Sequence, residues 1–395
     1  MSGPLEGLVV IDMTRVLAGP FCTMMLADMG AEVIKVERPS TGDDSRAFGP
    51  FVKGESAYFM SVNRGKKSVT VDLKAPEGKA LLLDLVREAD VLVENFKPGV
   101  MKKLGLDYAT LREVNPRLVY AASTGFGQSG PYSARPAYDL VIQAMGGVMS
   151  ITGPDADHPT KVGSSVSDIF AGVFTCIGIL AALNHRYRTG QGQMVDVAML
   201  DCMVAILENA VARYAASGQS PAPIGNRHPS IAPFSTLKAS DGMLAIACGN
   251  DALFQRFCDL IGQSDLPQDD RFATNRGRVD NWAALEPMLN EAMSQKPKAH
   301  WMEVFEKAAI PCGPINDIAA LAADPQVIAR QMLVEVVHPI AGALAVPGVP
   351  IKFSGSEAKV RGPAPVLGAN NDEIFGTRLG LDETRRAELK EKGVI

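Results

Sequence analysis

The sequence predicts an α/β protein: a large, doubly wound, Rossmann-like domain accompanied by a smaller α+β domain. Three observations carry this reading. Short apolar runs alternate with helical periodicity through the first half of the chain. A Pro- and Gly-crowded break at 217–229 separates that half from a hairpin followed by helices. The 395 residues, 47% of them hydrophobic and 21% charged, are enough for two cores in a soluble globular protein.

Leu8 to Asp12 reads as a short buried strand, Thr14 to Pro20 as a loop, Phe21 to Met29 as a helix closed by Gly30, and Ala31 to Glu37 as a second strand. These make one βαβ unit. A third strand is predicted at Ser68 to Leu73, then a helix from Pro76 to Ala89 that opens with Pro-Glu, as first turns prefer. Val91 to Glu94 and Leu118 to Ser123 read as further buried strands. Val162 to Asn184 is a run of small and apolar residues at helical spacing in which Asp168 is the only charge. His185, Arg186 and Arg188 then suit the helix C-terminus, and Thr189-Gly190 stops it. Beyond Met194 to Ala198, Leu200 to Ala215 reads as helical.

Ser235 to Cys248 reads as a hairpin around Ser240-Asp241-Gly242, followed by helices at Ala252 to Ile261, Trp282 to Ser294 and Ala299 to Ala308. A second hairpin, Val334 to His338 with Ala343 to Val346, precedes a C-terminal helix from Asp382 to Lys392. The expected division is 1–200 for the first part of the large domain, 201–229 as linker, 230–330 for the small domain and 331–395 as a return linker with the C-terminal part of the large domain.

The net charge of −5 without a basic run argues against nucleic acid or an anionic membrane as partner. Six scattered cysteines with no C-x-x-C pair suit reduced thiols. The first residues lack a charged n-region and an export-length apolar core, and the run Ile169 to Leu183 is shorter than the roughly 18 residues of a span. A cytoplasmic protein is therefore expected.

Several chemistries fail on their motifs. The first βαβ unit ends in Glu37, where an acid would hold a nicotinamide cofactor's ribose, yet its loop has only Gly19 of the glycine fingerprint. A literal G-x-G-x-x-G at Gly125-Phe-Gly127-Gln-Ser-Gly130 runs into Pro131-Tyr-Ser with no helix opening at its third glycine. The five histidines form no metal-ligand spacing, and no G-x-S-x-G elbow is present. Asp168 stands out. At the head of a helix it reads either as an N-cap or as a nucleophile, and the positive helix end is expected to keep it ionised.

Separated motifs agree on one family. Val10-Ile-Asp-Met-Thr-Arg-Val-Leu-Ala-Gly-Pro20, Gly30-Ala-Glu-Val-Ile-Lys-Val-Glu-Arg-Pro39 and Val93-Glu-Asn-Phe-Lys-Pro-Gly99 are three of them. Ser165 to Gly172, Thr189-Gly-Gln-Gly-Gln193 and Ile310-Pro-Cys-Gly-Pro-Ile-Asn316 complete the set. Through these the chain resembles the class III CoA-transferases, the family of formyl-CoA transferase, carnitine CoA-transferase and the bile-acid-inducible proteins. The resemblance implies that the large domain holds both the N- and C-terminal parts of the chain, and that two chains interlock as rings in a homodimer. It implies that Asp168 is the catalytic nucleophile, that acyl-CoA and a small carboxylic acid are the substrates, and that no cofactor is tightly bound.

The resemblance further assigns Arg15, Val16, Leu17 and Ala18 to the pantetheine and thiol end of CoA and Arg38 to the nucleotide, with Asp72, Leu73, Lys74, Asn95, Phe96, Lys97 and Lys103 lining the rest. Arg38 and Lys103 also read as ordinary surface charges and Phe96 as core. Tyr138 and Asp139 are placed at the same site, where Asp139 reads equally well as a helix cap. An α-methylacyl-CoA racemase is the alternative, but its His-Asp acid/base pair is Tyr138-Asp139 here, and a non-catalytic CoA-binding protein is a third reading, against which Asp168 with its small neighbours argues. Leu17 stands where formyl-CoA:oxalate members carry glutamine. Gly225 through Cys248 resembles enzymes that pass CoA from succinyl-CoA to dicarboxylates such as glutarate, with Arg227 and His228 as candidates to hold a distal carboxylate.

Overall fold

The computed structural model describes residues 2–395. The chain forms two compact units. One contains the chain up to Met149 with Lys161–Gly218 and Pro325–Ile395, and the other contains Ser150–Thr160 and Gln219–Asp324. Helix continues to Ser217, through the first part of the segment expected to act as linker, and 150–160 groups with the second unit.

The first unit is built on a six-stranded sheet. Its strands are β1 Val9–Asp12, β2 Glu32–Glu37, β3 Lys67–Thr70, β4 Val91–Glu94, β5 Val119–Thr124 and β6 Met194–Ala198. Every pairing is parallel and the spatial order is β3-β2-β1-β4-β5-β6. Both faces are covered, as an all-parallel sheet requires. Alternate residues of each strand serve opposite faces: Ile11, Ile34, Leu92 and Tyr120 pack with Leu82 and Leu85, whereas Val10, Val33, Val91 and Val119 pack with Cys22, Leu26, Cys176 and Ile179. Ile374, Phe375, Leu389 and Val394 join the first of these cores, so the C-terminal segment folds with the N-terminal part.

The helices of this unit include α1 Ala18–Asp28, α2 Pro76–Glu88, α3 Asp139–Met145, α4 Val166–Thr189, α5 Met199–Ala205 and α6 Glu208–Ser217. Helix α1 starts at Ala18, three residues before the expected Phe21, because Gly19 and Pro20 fall in the first turn, where a proline's missing N–H costs nothing. The single helix expected over Leu200 to Ala215 is broken at Ile206-Leu207, both partly buried against the apolar cluster that contains Ile142 and Met203.

Helix α4 extends well past its most apolar stretch, and by length and composition it is long and apolar enough to cross a membrane, contrary to the expectation from Ile169 to Leu183 alone. Ser167, Ala171, Thr175, Cys176, Ile179 and Ala182 nevertheless form a buried face on it. Near its end the buried Arg186 pairs with Asp90 at 2.9 Å. Gly172 permits close packing on α1, since a Cβ there would stand 2.7 Å from the carbonyl oxygen of Ala18.

In the second unit, β7 Phe234–Ala239 and β8 Gly242–Ala247 form the expected hairpin, and β9 Cys312–Pro314 adds an antiparallel third strand. Helices α7 Asp251–Leu260, α8 Trp282–Met293 and α9 Lys298–Lys307 pack Phe254, Leu285 and Phe305 onto Leu237 and Ile246. Back in the first unit, β10 Leu333–His338 pairs with β11 Gly342–Pro347, and α10 Glu383–Glu391 closes the chain.

Candidate active site

Strand order reverses between β1 and β4, and ligands of open α/β sheets bind in the crevice beyond the strand ends at such a point. The loop after β1 and the loop after β4 both line cavities here. One cavity, of about 300 Å³, is lined by Arg15, Val16, Leu17, Ala18, Asn95, Phe96, Lys97, Gly125, Tyr138 and Asp168. A second, of about 520 Å³, is lined by Arg15, Arg38, Gly42, Asp72, Leu73, Lys74 and Phe96. Arg15 and Phe96 belong to both, with the Arg15 guanidinium 4.9 Å from the centre of the Phe96 ring. Phe96 also packs partly against the core.

Buried charge supports the first loop. The Asp12 carboxylate accepts hydrogen bonds from the Thr14 N–H (2.9 Å), the Thr23 hydroxyl (2.7 Å) and the Lys66 ammonium (2.9 Å). Burial opposes the charge on Asp12, but Lys66 and Lys35 outweigh it and hold the carboxyl well below its ordinary range. Lys66 itself is pushed down to about 8, chiefly by burial. Lys35 donates to the Thr14 carbonyl at 2.8 Å and pairs with Asp43 at 2.9 Å. Glu37, the residue considered for a ribose, is held by Arg46 through two 2.7 Å bonds and by the Ser68 hydroxyl at 2.7 Å, so it belongs to the scaffold.

Asp168 is the third residue of α4 and does not cap it. The cap comes from Asp139, at the start of α3: one of its oxygens accepts from the Ser167 N–H at 3.0 Å and the Ser167 hydroxyl at 2.8 Å, and the other accepts from the Gln143 amide at 2.7 Å. Asp168 has no hydrogen-bond or ion-pair partner among the described residues. Burial, then the neighbouring Asp139 charge, push its carboxyl up to about 7. The expectation that the helix end keeps it ionised at neutral pH is met by two opposing effects, since desolvation and a like charge both favour the protonated form.

The remaining expected residues divide. Arg38 is exposed, pairs with Asp44 and donates to the Gly42 carbonyl at 3.2 Å. Lys103 is exposed and lines neither cavity, although Val100 and Leu104 line the larger one. Asp139 lines neither and supports Ser167, whereas Tyr138 beside it is 75% exposed and lines the smaller cavity. Arg227 and His228 lie in the second unit, where the His228 ring lies 5.2 Å from that of Phe234 and is tilted 50° to it. Tyr58 was not singled out by any motif. Its phenol is pushed up to about 12 by burial and by the charges of Asp168, Asp43 and Asp139, which places it in the electrostatic reach of the same carboxylates. It lies in a six-residue helix, Ala57–Val62, with no spacing signal to mark it.

The profile of CoA-transferase family III matches residues 5–371. The chain is 49% identical over 355 residues to an acetyl-CoA:oxalate CoA-transferase of Acetobacter aceti, covering 90% of each protein. It is 43% identical over 390 residues to a succinate–glutarate CoA-transferase of Agrobacterium fabrum, covering 96% of this chain and 97% of that one. A crystal structure of a CAIB/BAIF family protein from Brucella suis superimposes with a TM-score of 0.86 at 45% identity, over 97% of this chain and 100% of the other. With these matches spanning nearly its whole length, the chain belongs to CoA-transferase family III and is an acyl-CoA CoA-transferase.

Proposed function

We propose that this enzyme moves CoA from an acyl-CoA, with succinyl-CoA as donor, to a small dicarboxylic acid, and that Asp168 carries the CoA between them. The observation that carries the reading is the unpartnered Asp168 carboxylate on the wall of the smaller cavity. The adjoining larger cavity offers Arg38 and Lys74, cations suited to the phosphates of CoA. Their shared wall at Arg15 and Phe96 suits a substrate that runs through both.

The Asp168 carboxylate attacks the thioester carbonyl, forming an aspartyl-acyl anhydride and releasing CoA thiolate. The thiolate attacks the aspartyl carbonyl, the donor leaves as its carboxylate, and an aspartyl-CoA thioester remains. The acceptor carboxylate displaces the thiolate to give a second anhydride. Attack of the thiolate on the acceptor's carbonyl then yields the new acyl-CoA and restores Asp168. Each step exchanges one activated acyl group for another, so no ATP and no tightly bound cofactor is needed.

Succinyl-CoA and a dicarboxylic acceptor are supported by relatives named for succinate, glutarate and mesaconate. The racemase alternative is disfavoured because Asp139 is occupied with Ser167 and Gln143 and is preceded by a tyrosine. An interlocked homodimer is part of the proposal, supported by the exposed apolar side chains Ile177, Val204, Val211 and Tyr214 in the first unit.

Succinyl-CoA offered with a panel of carboxylic acids, followed by mass spectrometry of the acyl-CoA pool, tests the reading. New acyl-CoA species are expected from wild type and none from Asp168→Asn. Exchange that survives in Asp168→Asn overturns the assignment of the nucleophile.

A further inference from the structure

The turn that separates the two cavities is closed by a residue 80 positions away in sequence. The Asn95 side-chain oxygen accepts from the Arg15 N–H at 2.9 Å, and the Asn95 amide nitrogen donates to the Arg15 carbonyl at 2.8 Å. One amide thus engages both backbone groups of the same residue. The next residue, Val16, has φ +67°, a region that β-branched residues rarely occupy and that persists only where the surroundings impose it. Its N–H donates to Asp43 at 3.1 Å, and the Thr14 carbonyl is taken by Lys35 at 2.8 Å. Three consecutive residues are therefore held by side chains from outside the loop.

We infer that Asn95 is a positioning residue of the transferase: by clamping Arg15 it fixes the strained Arg15-Val16 turn and so aligns the nucleotide half of the substrate with the thioester half. This rests on CoA occupying both cavities, as proposed above. Arg15 and Phe96 are the walls common to both, and Phe96 follows Asn95 directly. With the clamp removed, Val16 is free to relax to negative φ, and Arg15 leaves its place over the Phe96 ring. Binding energy gathered at the nucleotide end then no longer serves the reacting carbonyl.

The test compares wild type with Asn95→Ala, using acyl-CoA and the matching acyl-pantetheine as donors and measuring CoA binding by calorimetry. For acyl-CoA, kcat is expected to fall about 10²-fold, the cost of a small misplacement of a reacting group. The Kd for CoA should stay within about threefold, and the preference for acyl-CoA over acyl-pantetheine should shrink by about tenfold or more. Weaker CoA binding with unchanged kcat would make Asn95 a direct ligand and overturn the clamp. Equal losses on both donors, with the preference intact, would reduce it to a structural residue and overturn it equally. If Asn95→Ala does not fold, Asn95→Asp keeps the acceptor for the Arg15 N–H, removes the donor to its carbonyl, and is read in the same way. Wild type whose CoA affinity is indifferent to both Lys74→Ala and Lys97→Ala would overturn the cavity assignment, and the clamp with it.

Discussion

Asp139 caps the helix that carries Asp168, accepting from both the N–H and the hydroxyl of Ser167 at 3.0 and 2.8 Å. Asp168, the proposed nucleophile, is thereby released from the capping duty its position suggested, but a second carboxylate now stands close enough to oppose its ionisation. Asp139→Ala is expected to lower the pH midpoint of activity, because the charge that raises Asp168 is gone. It is also expected to cost about 1 kcal/mol of stability through the lost cap. A pH–rate profile together with urea unfolding separates the two effects. A midpoint unmoved by the substitution would show that burial alone sets the Asp168 proton affinity.

In the wild type, the carboxyl at about 7 means that much of Asp168 is protonated at neutral pH in the free enzyme. In the proposed mechanism the carboxylate is the attacking form, so kcat/KM for the acyl-CoA donor is expected to rise with pH and level off above about 7. A profile flat from pH 5 to 9 would contradict this.

The same shift has a stability consequence. A carboxyl raised in the folded state from 3.8 to about 7 binds more protons folded than unfolded between those values, so it costs stability as pH rises through that window. At 1.36 kcal/mol per unit the full shift corresponds to about 4 kcal/mol, and access of solvent from the cavity reduces it to about 1–2 kcal/mol. Asp168→Asn is therefore expected to abolish exchange and to raise Tm at pH 8, with little change at pH 4. Calorimetric Tm values at the two pH values check the sign.

How much of this was legible in the sequence follows from the reach of each interaction. The strand runs around Ile11, Val33 and Leu92 show because β-branched and aliphatic residues crowd between turn residues, and Asp168 shows because it interrupts an apolar helix. Its partner does not show: Asp139 reaches Ser167 across 28 positions, and nothing in either segment marks the pairing. The resemblance assigned Asn95 and Arg15 to the CoA site, but nothing in the sequence shows that they also bind each other across 80 positions. The proton affinity of Asp168 depends on cavity shape, which spacing does not encode. Gly19 and Pro20 looked like loop residues because the same types that break helices also open them.

The buried ion cluster beneath the β1 loop is the part of the site most exposed to a single substitution. Asp12 is fully buried and accepts from Thr14, Thr23 and Lys66, while Lys35 adds favourable charge. Asp12→Asn keeps the shape but leaves the buried Lys66 without its carboxylate, and removing one partner of such a pair costs about 3–5 kcal/mol. A folded-state carboxyl held below its ordinary 3.8 adds stability that is present above that value and is lost as pH falls beneath it. The wild type is therefore expected to lose stability on acidification below about pH 4, and Asp12→Asn to start lower and lose less over the same range. Urea midpoints at pH 7 and pH 3 measure both. Equal acid sensitivity in the two proteins would mean that Asp12 carries no charge in the folded enzyme, and the charged support of the Thr14–Val16 loop would have to come from Lys35 and Asp43, beside the Asn95 clamp.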